Sequence, residues 1–140
     1  MQAGMWLGYV SFGFISDALG GKRTYVGYLL LAAALVPFYA RAVSSVTLLV
    51  LGPLLAFFGT GHFTGFGIIT AELFPTSFRA SAMGLTYNCG RAFGAAAPWI
   101  MGAMTERQGP SSAFWINGIA FLVAGLLALA LPETKSRALA

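Results

Sequence analysis

Apolar runs of about twenty residues recur five times along the chain, at about 1–19, 24–41, 46–71, 80–104 and 112–131. Each approaches the roughly 20 residues that an α-helix needs to cross a hydrocarbon core. Short polar or turn-forming stretches separate them: Gly20-Gly21-Lys22-Arg23, Ala42-Val43-Ser44-Ser45, Phe74-Pro75-Thr76-Ser77 and Glu106-Arg107-Gln108-Gly109-Pro110. With 58% hydrophobic and 9% charged residues in 140, so much apolar surface exceeds what a small soluble core hides, and the excess faces lipid. The expected fold is an all-α membrane bundle of about five transmembrane helices with no soluble domain. Pro37, Pro53 and Pro98 fall inside the runs and read as kinks.

Lys and Arg in the loops set the orientation. Lys22, Arg23, Arg79, Lys135 and Arg137 fall on one side, whereas the other has only Arg41 and Arg107. The first side, with the C-terminus, is expected to be cytoplasmic, in a bacterial-type inner or plasma membrane. The net charge of +4 is therefore a topology signal, and no basic cluster with interleaved aromatics points to nucleic acid. No basic region precedes the first apolar run, so a cleavable signal peptide is not indicated. Met1 opens almost directly into a span, which implies an upstream part.

The runs differ in polarity. Those at 24–41 and 112–131 have few polar interior groups and suit lipid-facing or peripheral positions. Thr60, His62, Thr64 and Thr70 mark 46–71, and Ser81, Thr86, Tyr87, Asn88 and Arg91 mark 80–104. Polar groups in a bilayer face a bundle interior or a wet cavity, so these two helices are expected to line something. Arg91 is twelve residues past Arg79, about 18 Å into its helix and near mid-membrane. His62, ten residues before Glu72, lies about 15 Å deep. Helical spacing aligns Ser81, Gly84, Asn88, Arg91 and Ala95 as a cavity wall. On the preceding helix, Thr60, Thr64 and Gly67 share one face while Gly59, His62 and Phe66 share nearly the opposite one, and His62 is expected inward.

Asp17 and Glu72 lie near the cytoplasmic surface, so Arg91 lacks a mid-membrane carboxylate. Its counter-charge is a substrate, a missing segment, or carbonyls at a helix end. His62 is either a neutral imidazole bonded to a neighbouring helix or a proton-linked group. The Gly4/Gly8, Gly61/Gly65 and Gly90/Gly94 pairs permit close helix packing. One His, one Cys and no membrane-depth acid give neither a metal site nor a catalytic triad, so no cofactor and no enzymatic activity are expected. The single Cys89 also rules out an internal disulfide.

Three motifs carry a family resemblance. Gly13-x-x-x-Asp17-x-x-Gly20-Gly21-Lys22-Arg23 resembles the loop motif of the major facilitator superfamily. Glu72-Leu73-Phe74-Pro75-Thr76-x-x-Arg79 resembles the signature after the tenth span of sugar porters and metabolite–proton symporters, and Pro132-Glu133-Thr134-Lys135 resembles their tail after the last span. The Tyr87-Asn88-x-Gly90-Arg91 run looks more like organic-acid and metabolite symporters than sugar carriers. The resemblance implies spans eight to twelve of a twelve-helix transporter, with eight, ten and eleven lining the path and nine and twelve peripheral. It also implies a missing N-terminal half as partner.

Secondary transport of a small organic anion or sugar, proton-coupled and by alternating access, is what the resemblance implies. Arg91, Asn88, Tyr87 and His62 would meet substrate or protons. Asp17, Lys22, Arg23, Glu72, Arg79 and Glu133 would form a cytoplasmic charge network that latches the halves together. Alternatively these charges only set topology. Ala18, Gly21 and Ser136 depart from the family pattern, leaving a weaker latch or one that uses Lys22 and Arg23. The alternative for the whole chain is a truncated, non-transporting membrane fragment or an oligomeric scaffold, because five spans alone do not make a two-bundle rocking machine.

Overall fold

The computed structural model describes residues 1–42, 44–109 and 111–132. Glu133, Lys135 and Arg137, and with them most of the proposed tail motif, lie outside the described residues. Six helices follow in order: α1 (Gln2–Leu19), α2 (Gly21–Arg41), α3 (Ser45–Leu73), α4 (Arg79–Gly94), α5 (Ala97–Gln108) and α6 (Ser111–Leu129). No strand occurs among the described residues.

Local chemistry explains the breaks. Gly20 separates α1 from α2 at φ 99°, a left-handed backbone that glycine adopts without a Cβ penalty. Its N–H donates to the Ser16 carbonyl at 2.8 Å while its own carbonyl accepts from Thr24 N–H at 3.1 Å. At the end of α3, Phe74 is extended at φ −108°, ψ 138°, as expected of a residue before proline. Arg79 then donates from Nε to the Phe74 carbonyl at 3.2 Å, tying the start of α4 to the end of α3.

The fourth apolar run, expected as one helix over 80–104, is two segments of 16 and 12 residues. Pro98 lies in the first turn of α5. With no N–H it leaves the Gly94 carbonyl without its i+4 donor, and its ring crowds that carbonyl. Three helices, α2, α3 and α6, are long and apolar enough to cross a membrane by length and composition. α1 is diluted by glycines, serines and Asp17, and each piece of the fourth run is too short alone.

α2 is the hub. It packs against α1, α3 and α6, and contributes buried Val26, Tyr28, Leu29, Ala32 and Val36. The Tyr28 ring meets Phe12 edge-on at 5.0 Å and lies roughly parallel to Phe57 at 5.6 Å. Val26, Leu29 and Ala128 form a second cluster under Tyr25, Leu30 and Phe121. The helix expected at the periphery is packed on three sides within this chain.

Glycines set the closest approaches. A Cβ at Gly4 or Gly8 would run into the carbonyl oxygen of Pro53 or Phe57, so α1 meets α3 backbone to backbone. Gly61 and Gly65 receive the rings of Tyr28, Tyr25 and Phe12, whereas Gly90 and Gly94 have nothing within 4 Å. Neither α4 nor α5 has a buried residue. Phe93 and Trp99 on these helices are 85% and 79% exposed, an apolar exterior suited to lipid or to further helices.

Candidate functional site

α4 stands off from the α2–α3 pair and leaves a cavity of about 380 Å³ lined by Tyr25, His62, Phe63, Phe66, Thr86, Tyr87, Gly90 and Arg91. The two ionisable groups expected at equal depth, His62 and Arg91, share this space. Tyr87 joins them. Asn88 does not line it: its amide donates instead to the Gly84 carbonyl at 2.8 Å, one turn back on its own helix.

The wall of α4 is therefore rotated from the expected stripe. Thr86, Tyr87, Gly90 and Arg91 face this cavity, and Met83, Gly84 and Tyr87 face its neighbour, whereas Ser81 and Ala95 face neither. Helical spacing identifies faces but not which one a neighbour approaches.

Arg91 holds its guanidinium carbon 5.8 Å from the centre of the Tyr87 ring. It makes no ion pair among the described residues. An aromatic face attracts a cation without neutralising it, so an anion in the cavity would meet an uncompensated charge.

His62 is held by rings from three helices. Phe63 stacks on it at 4.5 Å and 28°, Phe121 of α6 meets it edge-on at 5.7 Å, and Tyr25 of α2 lies 6.3 Å away. Its Nδ1 is buried without a partner in hydrogen-bond geometry. The face shared by Thr60 and Gly67 looks elsewhere. Thr60 donates to its own Ala56 carbonyl, and Gly67 lines a second hollow of about 580 Å³ with Tyr9, Phe63 and Met83.

Thr86, among the polar residues expected to line something, and Phe66, on the face of His62 expected inward, do line the cavity, whereas Tyr25 and Phe63 are the cavity residues that sequence reasoning missed. Tyr25 carries a legible signal, since it lies within a turn of Lys22 and Arg23 on a helix with few other polar groups. For Phe63, no composition or motif distinguishes it from an ordinary core aromatic.

The second set of sequence-derived residues collects at the α1–α2–α3 end. Glu72 projects over the first residue of α2: a Cβ at Gly21 would lie 3.7 Å from both Glu72 Oε2 and Ser16 Oγ. A helix N-terminus carries positive partial charge, which favours a carboxylate there. Glu72 Oε2 and the nearby Thr24 Oγ1 are buried without hydrogen-bond partners. Asp17 and Arg23 are exposed and Lys22 is half-buried. Neither Asp17 nor Glu72 makes an ion pair among the described residues, while Arg79 is engaged by the Phe74 carbonyl. Glu133 lies outside the described residues.

The sequence profile of the Major Facilitator Superfamily matches residues 1–140. The chain belongs to the major facilitator superfamily. It is similar along its whole length to a Haemophilus influenzae protein whose name assigns it to metabolite transport, with 30% identity over 140 residues, 99% of this chain and 33% of that protein. A niacin transporter of Acinetobacter baylyi is 29% identical over 134 residues, 94% of this chain and 30% of the transporter. A cis,cis-muconate transport protein of the same organism is 30% identical over 126 residues, 88% of this chain and 30% of its own length. The chain spans about a third of the length of the curated relatives it matches. Superfamily membership and the apolar helices make it an integral membrane protein.

Proposed function

We propose that this chain forms the C-terminal part of a secondary transporter that carries a small organic anion by alternating access, coupled to protons. The observation that carries this reading is the Arg91 cavity: a guanidinium beside an aromatic ring, with no acidic partner among the described residues. A charge at membrane depth is costly until paired, and a substrate carboxylate is the partner a transporter can load and release. The relatives' names give niacin, cis,cis-muconate and sialic acid as cargo. All three substances bear a carboxylate, which favours an anion over a neutral sugar.

Within this reading Tyr87 supports Arg91, and His62 is the proton-linked group. Asn88 acts through its helix rather than by touching cargo. Asp17, Lys22, Arg23, Glu72, Arg79 and Glu133 latch the cytoplasmic ends of two transporter halves. Several charges at a partly dry interface bias a two-state equilibrium more than one exposed pair, which contributes about 0–1 kcal/mol.

The test is uptake of labelled nicotinate, cis,cis-muconate and N-acetylneuraminate by cells expressing the full-length protein that contains this chain. Saturable uptake of at least one is expected. Arg91→Gln should lower it by about tenfold or more, the scale of losing a charge-assisted contact to the substrate carboxylate, at unchanged membrane abundance. Normal uptake by Arg91→Gln would remove Arg91 from the mechanism.

A further inference from the structure

Three hollows adjoin along the α3–α4 face. The Arg91 cavity is flanked by the hollow of about 580 Å³ near Tyr9 and Met83 and by one of about 230 Å³ near Ile69, Leu73 and Leu131. Phe63 and Tyr87 border the first and second, and Tyr25 and Thr86 border the second and third. Phe66 alone among the lining residues borders all three.

We propose that the Phe66 side chain sets how long an apolar tail the Arg91 cavity accepts, so that the site takes amphipathic carboxylates and Phe66 measures them. This inference rests on the transport reading above.

The chemistry on either side of the ring supports it. The cavity on one side has Arg91 and His62, the groups that hold a carboxylate. The smaller hollow is walled by Ile69, Leu73, Phe74 and Leu131, with Tyr25 on its border with the Arg91 cavity, and its two threonine hydroxyls are already used. Thr70 donates to the Phe66 carbonyl at 2.6 Å and Thr86 to the Ala82 carbonyl at 2.7 Å. An apolar tail entering there displaces no threonine hydrogen bond, whereas a second polar group deep in the hollow, away from Tyr25, would go unsatisfied.

The backbone of Phe66 is fixed, because it lies mid-helix with its carbonyl capped by the Thr70 hydroxyl. The ring, on the one lining residue common to all three hollows, is then the part free to divide the space. Truncating it joins the hollows into one slot, and enlarging it closes the passage between them.

The experiment uses the full-length protein and whichever of nicotinate, cis,cis-muconate and N-acetylneuraminate it takes up, with benzoate, 4-methylbenzoate and 4-butylbenzoate as competitors. The readout is the ratio of half-inhibitory concentrations for 4-butylbenzoate and benzoate. Phe66→Ala is expected to lower this ratio tenfold or more, Phe66→Leu to lower it less, and Phe66→Trp to raise it. Should Phe66→Ala fail to reach the membrane, the opposite movement of Leu and Trp decides the matter. Ratios unchanged within twofold in Phe66→Leu and Phe66→Trp, while Arg91→Gln still lowers uptake, would sink the role of Phe66 and leave the transport reading standing. Absence of saturable uptake in the native protein would overturn both.

Discussion

Arg91 and Tyr87 face one another from successive turns of α4, with the guanidinium carbon 5.8 Å from the ring centre. The contact holds the charge at the cavity wall while leaving its N–H donors unpaired by any described carboxylate.

Tyr87→Leu removes the ring face and is expected to raise KM. A cation–π contact contributes about 0.5–2 kcal/mol depending on desolvation, which corresponds to about 2–30-fold. Tyr87→Phe keeps the face and should stay within about twofold, since a phenyl ring retains most of the attraction. Comparing KM for the two variants in uptake assays checks this, and equal losses would point to the Tyr87 hydroxyl instead.

The helix positions were legible because length and hydropathy alone nearly determine them, but the site was legible only in part. Arg91 and His62 stood out as charges where lipid makes charge expensive. The threonines were an ambiguous signal: Thr60, Thr70 and Thr86 each donate to a carbonyl four residues back, so a hydroxyl in a membrane helix needs no wet cavity, yet Thr86 still lines the Arg91 cavity. Asn88, placed in the wall by helical spacing, satisfies itself the same way. The break before Pro98 was signalled by the proline itself, whereas the centrality of α2 depends on which neighbours approach, and helix periodicity does not encode that.

Gly8 and Gly13 on α1 give an internal control for close packing. A Cβ at Gly8 would run into the Phe57 carbonyl oxygen, while Gly13 has nothing within 4 Å. Gly8→Ala is expected to destabilise by about 1–3 kcal/mol, the scale of overpacking. Gly13→Ala should be neutral or stabilising by up to about 1 kcal/mol, through reduced chain entropy. Thermal unfolding in detergent distinguishes them, and equal melting temperatures would contradict the backbone contact between α1 and α3.

Glu72 lies against the N-terminus of α2, with Gly21 and Ser16 beneath its carboxylate. Neutralising it as Glu72→Gln removes a favourable charge–dipole interaction of about 0.3–1 kcal/mol. The melting temperature should fall and the fall should shrink in high salt, because such interactions are screened. Glu106→Gln, at an exposed position late in α5, is the control and should leave melting unchanged.

His62 tests whether a packed imidazole also handles protons. Its ring fits among Phe63, Phe121 and Tyr25, so His62→Phe should fill the same space at a cost under about 1.5 kcal/mol, as volume-conserving exchanges do. His62→Ala leaves a void and should cost about 2–5 kcal/mol, on the scale of other large-to-small core changes. If His62 carries a coupling proton, His62→Phe in the full-length protein retains substrate exchange between preloaded and external pools, which needs no net proton movement. It loses accumulation against a gradient. Measuring exchange and accumulation on the same membranes separates coupling from folding. Accumulation at the native level in His62→Phe would make the imidazole a packing group and move the proton carrier to another part of the transporter.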